Sequence, residues 1–129
     1  MRMKLSEAIR LGAMLRPQGF GAVFYSDGGV MKSCALGAAG EAVGVMRGEL
    51  YRSPADQEWA ELQKFFPILL SIPQWPCEHK GFWAGVSSAI GHLNDTHRWT
   101  REQIADWVEG IECQQEATAQ ECTPVEVMA

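Results

Sequence analysis

The stretch SCALGAAGEAVG, residues 33–44, limits what this chain can fold into more than any other segment. Gly37, Ala38, Ala39 and Gly40 leave a helix here almost without side chains. Each glycine costs a helix about 1 kcal/mol against alanine. Such a helix has little stability of its own, but neighbouring backbones can approach it closely. The segment therefore reads as a buried central helix over 34–43, capped by Ser33 and stopped by Gly44, with the other elements built around it.

Those other elements follow from local signals. KLSEAIRLGAMLRPQG reads as an opening helix with Ser6 as N-cap and Leu5, Ala8, Ile9 and Ala13 on its apolar face. Pro17 and Gly19 end it. FGAVFYSDGGVMKS reads as a β-hairpin. Residues 20–25 favour a strand, Asp27-Gly28-Gly29 supplies the positive φ angles of a tight turn, and residues 30–32 return. In SPADQEWAELQKFF, Ser53 is placed at the N-cap, Pro54 at the first helical position and Asp56 at the third, with Trp59, Leu62 and Phe66 as the inner stripe. SIPQWPCEHKG is a loop with two prolines. Residues 82–93 read as a helix with Phe82, Val86, Ala89, Ile90 and Leu93 on one side. In the last helix Thr100 and Gln103 form a capping box, Trp99 staples onto Ile104, and Ile104, Trp107, Val108 and Ile111 face inward. The expected fold is α+β and mostly α: four or five helices around a small buried helix, with one β-hairpin. Residues 1–112 make a single globular domain and 113–129 a flexible acidic tail.

Charge narrows the partners. Residues 1–101 hold nine acids and eleven bases, while residues 102–129 hold seven acids and no Lys or Arg. An acidic end repels phosphates, so nucleic acid is not an expected partner; the end reads first as a solvated tail that aids solubility, and alternatively as a face for a basic protein surface. WTREQIADWV resembles the opening of a helix-turn-helix, yet no basic recognition helix follows it. No apolar run approaches the roughly 20 residues of a membrane span, and MRMKLSEAIR lacks the apolar core of a secretory signal. The expected location is the cytoplasm, where Cys34, Cys77, Cys113 and Cys122 would be free thiols.

Most of the chemistry-bearing residues gather around HLNDTHRW, residues 92–99. One reading makes this a helix-to-helix corner: Asn94 and Asp95 suit a helix exit, and Trp99 and Thr100 suit the start of the next helix. A second reading is metal. Cys77, His79, His92 and His97 are four potential zinc ligands, with twelve residues between the first two histidines and four between the last two. Cys77 and His79 have only one residue between them, and fingers use two to four. A third reading takes Cys34, at a helix N-terminus that favours thiolate, as a nucleophile. His97, or else His79 or His92, would then be its base, oriented by Asn94 or Asp95. A cysteine opening a small-residue helix, with histidine later, is similar to NlpC-type cysteine peptidases. In that family the histidine lies on a strand of a following sheet, and no such sheet is visible here. Trp75, in the proline-rich loop, and Trp83 beside it are candidate interface anchors.

SCALGAAGEAVG together with HLNDTHRWTREQIADWVE, residues 92–109, resembles a loose group of small proteins of bacteria and their phages. Their shared features are a C-A-L-G-A helix, an L-N-D turn and a helix of T/S-x-E-x-I-A-D-W type. The resemblance implies one compact domain in which the two segments pack, nothing catalytic, and a phage or prophage origin; no cofactor is expected. Small acidic phage proteins that are not enzymes often inhibit a host enzyme or defence complex. By that analogy of class the expected function is non-enzymatic protein binding.

Overall fold

The computed structural model describes residues 3–48, 53–73 and 85–117. Its elements in chain order are α1 (Leu5–Ala13), β1 (Phe24–Asp27), β2 (Val30–Ser33), α2 (Ala35–Ala42), α3 (Asp56–Phe65), a 3-10 turn (Pro67–Leu70), α4 (Val86–Asp95) and α5 (Arg101–Ala117). Among the described residues, five helices and one antiparallel hairpin make the fold α+β and mostly α.

α2 is the buried centre. Every residue from 35 to 40 is buried, and Ala35, Ala38 and Ala39 are wholly so. α1 lies directly on it. A Cβ added at Gly12 would sit 1.8 Å from the carbonyl oxygen of Ala38, so only glycine permits this approach. Small residues on α2 and Gly12 on α1 bring the two backbones together, and packing replaces the intrinsic helical stability that α2 lacks. The shared core then runs through Leu5, Ile9, Phe24, Leu36, Leu62, Ile90, Leu93, Ile104 and Val108.

In the hairpin Phe24 faces Ser33 and Asp27 faces Val30. Gly28 and Gly29 have φ of 60° and 84°, which a two-residue turn of primed type requires. The first strand starts at Phe24 rather than at residue 20. Gly21 has φ of 87°, and its N–H goes to Oδ1 of Asp95 instead of to a strand partner. Residues 17–19 lie along the end of β2, where Ser33 N–H donates to the carbonyl of Pro17 and Gly19 N–H to that of Ser33.

Several helix starts differ from the expected ones. α1 is capped at Lys4, whose N–H donates to Glu7 at 2.8 Å. Ser6 is already inside the helix, and its hydroxyl goes to Glu112 instead. α3 is capped at Ala55, whose N–H donates to the Glu58 carboxylate at 2.7 Å. Ser53 therefore stands two positions before the cap and Asp56 is the first helical residue, because a carboxylate one turn in supplies the acceptor a serine was expected to give. In α5 the Thr100–Gln103 box forms reciprocally, at 2.8 and 3.0 Å. Ile104 is wholly buried, with Trp99 packed against the core. The inward face of α5 continues from Ile104 and Val108 to Glu112, while Trp107 and Ile111 are half-buried. The helix also runs five residues beyond the expected boundary at 112. Cys34 is a free thiol, but Cys113 is disulfide-bonded, contrary to the expectation of free thiols throughout. Approach of Cβ atoms in the folded chain decides such a pairing, and sequence spacing does not report it.

Candidate functional site

The corner between α4 and α5 is a buried polar hub. The wholly buried Asn94 side chain accepts from Nε2 of Gln18 at 2.9 Å and from the N–H of Ala35 at 3.2 Å. It donates to the carbonyl of Gly19 at 3.0 Å and to Oδ1 of Asp95 at 2.8 Å. Two donors and two acceptor positions are the ordinary capacity of an asparagine, and all four are used. Ala35 opens α2, so Asn94 satisfies one of that helix's orphan amides from another helix. Gln18 Nε2 also donates to the carbonyl of Trp99 at 2.8 Å. Beside the hub, the buried Arg101 guanidinium donates to Oγ of Ser33 at 3.0 Å and to the carbonyl of Arg16 at 2.7 Å. Burial holds its pKa below the usual arginine value. Two of its carbonyl partners, on Ala13 and Arg16, lie at the end of α1 and just after it, where a cation complements the helix end.

Cys34, the N-cap of α2, is 5% exposed. Burial pushes its thiol up to about 11, outweighing the backbone amides of Gly37 and Leu36 that pull it down, and the charge of Asp95 adds to the rise. The expected thiolate at this helix N-terminus is thus overturned by desolvation. A nucleophilic cysteine needs both thiolate and access, and Cys34 has neither at neutral pH.

His92 and His97 do meet. Their ring centroids are 4.7 Å apart and nearly perpendicular. Residues five apart do not share a helical face, but α4 ends between them. His97 N–H bonds to the carbonyl of His92, and Arg98 at φ 55° turns the chain. Cys77 and His79 lie outside the described residues, as do Trp75 and Trp83. Among the described residues no group of three or more His, Cys, Asp or Glu could hold a metal ion. The chain matches no family model, no curated protein and no solved structure.

A different candidate lies along the outer seam of α1 and α5, which pack antiparallel. Glu102, Asp106 and Glu109 fall on one stripe of α5 at spacings of four and three, and all three bind the Arg10 guanidinium. These bonds outweigh the burial that opposes its charge and hold its pKa above the usual value. Glu116 continues the stripe and pairs with Lys4 at 3.0 Å. At the C-terminal end of α1 and in the turn after it, three apolar side chains are exposed as a ridge in sequence: Leu11 at 44%, Met14 at 81% and Leu15 at 58%. At the opposite end is a cavity of about 510 Å³ between α1, α5 and the end of α3, walled by Met3, Leu5, Phe65, Phe66, Pro67 and Ile68. Glu112 lines it and is 8% exposed. Its Oε1 accepts from Oγ of Ser6 at 2.6 Å and its Oε2 from Ser6 N–H at 3.0 Å. Burial raises the Glu112 pKa above the usual carboxylate value, against the hydrogen bonds from Ser6 and the charge of Lys4.

The sequence reading missed Glu112 and the ridge. A signal for Glu112 was present: Ile104, Val108 and Glu112 repeat every four residues, which puts a carboxylate on an apolar stripe. Leu11, Met14 and Leu15 had no such signal, because one apolar residue in a helix looks like another until the packing partner is known. The seam brings together exposed apolar side chains, fixed charge and a cavity lined by hydrocarbon.

Proposed function

We propose that this chain is a non-enzymatic binding protein that engages another protein through the seam face of α1 and α5. The observation that carries the reading is the apolar ridge. Single exposed apolar side chains are ordinary. Leu11, Met14 and Leu15, however, fall within five residues, Leu11 on α1 and the other two in the turn that follows it, and all three are exposed. Glu102, Asp106 and Glu109 beside it are each more than half exposed, with Arg10 as their shared cation. A partner of matching character presents an apolar groove rimmed by Lys or Arg. The same acidic stripe disfavours a phosphate backbone. No described helix is long and apolar enough to cross a membrane. The finer reading, a phage-type inhibitor of a host enzyme or defence complex in the cytoplasm, rests on the motif resemblance.

The test is capture of the partner by wild-type protein and by a triple Leu11→Glu, Met14→Glu, Leu15→Glu variant whose circular dichroism matches wild type. A loss of about tenfold or more in recovered partner is expected; equal recovery removes the proposal. The His92–His97 contact favours a second reading, zinc held with Cys77 and His79. Metal analysis of untagged protein separates the two: stoichiometric zinc supports the second.

A further inference from the structure

We propose that the cavity beside Glu112 binds an organic cation carrying an apolar stem, a primary alkyl- or arylammonium group. Two independent features converge there. The walls are hydrocarbon and aromatic, from Met3, Leu5, Phe65, Phe66, Pro67 and Ile68, and the volume of about 510 Å³ lies in the range of small-molecule sites. On the lining sits a carboxylate that is more than nine-tenths buried and forms no ion pair with a cation among the described residues. Lys4 is the nearby cation, and its ammonium is held by Glu116 on the rim.

A buried carboxylate is ordinarily paired. Glu112 instead accepts one hydrogen bond on each oxygen, both from Ser6. A carboxylate oxygen accepts two, so each retains room for one further donor. An ammonium group on the cavity side supplies that donor together with the missing positive charge, and charge-assisted bonds of this kind are the strong ones. The apolar stem then lies against the phenylalanines, where a cation near an aromatic face gains further attraction. The cavity's ionised side chains, Lys4, Glu112 and Glu116, sum to one negative charge, which selects against an anionic head group. This inference does not depend on the ridge of α1 or on a protein partner.

The probes are n-octylammonium, 1-octanol and octanoate, which share a stem and differ in head group. Each is titrated into the full chain and followed by NMR. The Ser6 amide proton reports on the carboxylate it is bonded to, and the Ile68 methyls report on the wall. The expected result is saturable binding of n-octylammonium at least about tenfold tighter than 1-octanol, no measurable binding of octanoate, and movement of the Ser6 amide. Glu112→Gln should remove the ammonium preference and leave the weak binding of 1-octanol. Since Glu112 also holds the start of α1, Ile68→Trp provides a variant that fills the cavity and leaves the carboxylate alone; it should abolish binding of both. Equal affinity for ammonium and alcohol, no saturation by any probe, or unchanged ammonium binding in Ile68→Trp would each overturn the proposal.

Discussion

Two buried polar centres lie at opposite ends of the α1–α5 seam and have been completed to different extents. At the corner, Asn94 uses every donor and acceptor position it has, on Gln18, Gly19, Ala35 and Asp95. At the far end, the hydrogen bonds to Glu112 among the described residues come from Ser6, and the residue lines a cavity. The difference separates structure from recognition. A polar group whose bonds all lie inside the protein rigidifies the fold and offers nothing to a ligand. A group with open capacity beside apolar walls costs stability on its own and gains from binding.

The largest expected effect is at the corner. Asn94→Leu leaves the Ala35 amide and the Gly19 carbonyl without their partner and should cost about 3–5 kcal/mol in urea unfolding. A cost under about 1 kcal/mol would show that the hub is not holding α2 in place. Arg101→Met, which orphans the Arg16 carbonyl, should cost about 2–3 kcal/mol by the same measurement.

At the other end Glu112→Gln should cost less, about 1–2 kcal/mol, since glutamine retains one acceptor for Ser6. Its pH dependence sharpens the comparison. The folded-state pKa of Glu112 is raised by burial, so between the unfolded and folded values the native chain binds more protons. Its stabilising contribution is therefore full below the unfolded value and is lost as pH rises through the folded one. Stability of wild type relative to Glu112→Gln should improve on going from about pH 7 to about pH 5; no change, or the reverse slope, contradicts the assignment. Cys34 should react with iodoacetamide at pH 7 far more slowly than a model thiol, because burial both hides it and keeps it protonated; a rate at or above that of the model thiol would restore the nucleophile. The smallest effect is on the ridge. Met14→Lys should alter stability by less than about 0.5 kcal/mol while weakening capture of the partner.

Local signals predicted the elements well where the deciding contacts were themselves local. The Thr100–Gln103 box spans three residues, and the Gly28-Gly29 turn needs only its own φ angles. The cap at Ser53 failed because Glu58 takes the Ala55 amide, and the one at Ser6 because the helix already starts after Lys4 and the Ser6 hydroxyl goes to Glu112, neither of which residue preference alone ranks. Of the candidate site, His92 and His97 were legible as neighbours only if the helix stopped between them, which the fold decides by ending α4 at Asp95. Glu112 was hidden in a run of acids that reads as a solvated tail.

By itself the sequence determined that the small-residue helix through Gly40 must be interior, because a helix of glycine and alanine has only close packing to stabilise it. It also determined the hairpin turn and the α+β class. Only the tertiary structure decided what Asn94, Arg101 and Glu112 do. Apart from Asp95, next to Asn94 in the chain, their partners stand 59–106 residues away, and whether a buried polar group ends up saturated or open to a ligand depends on which groups the fold carries to it.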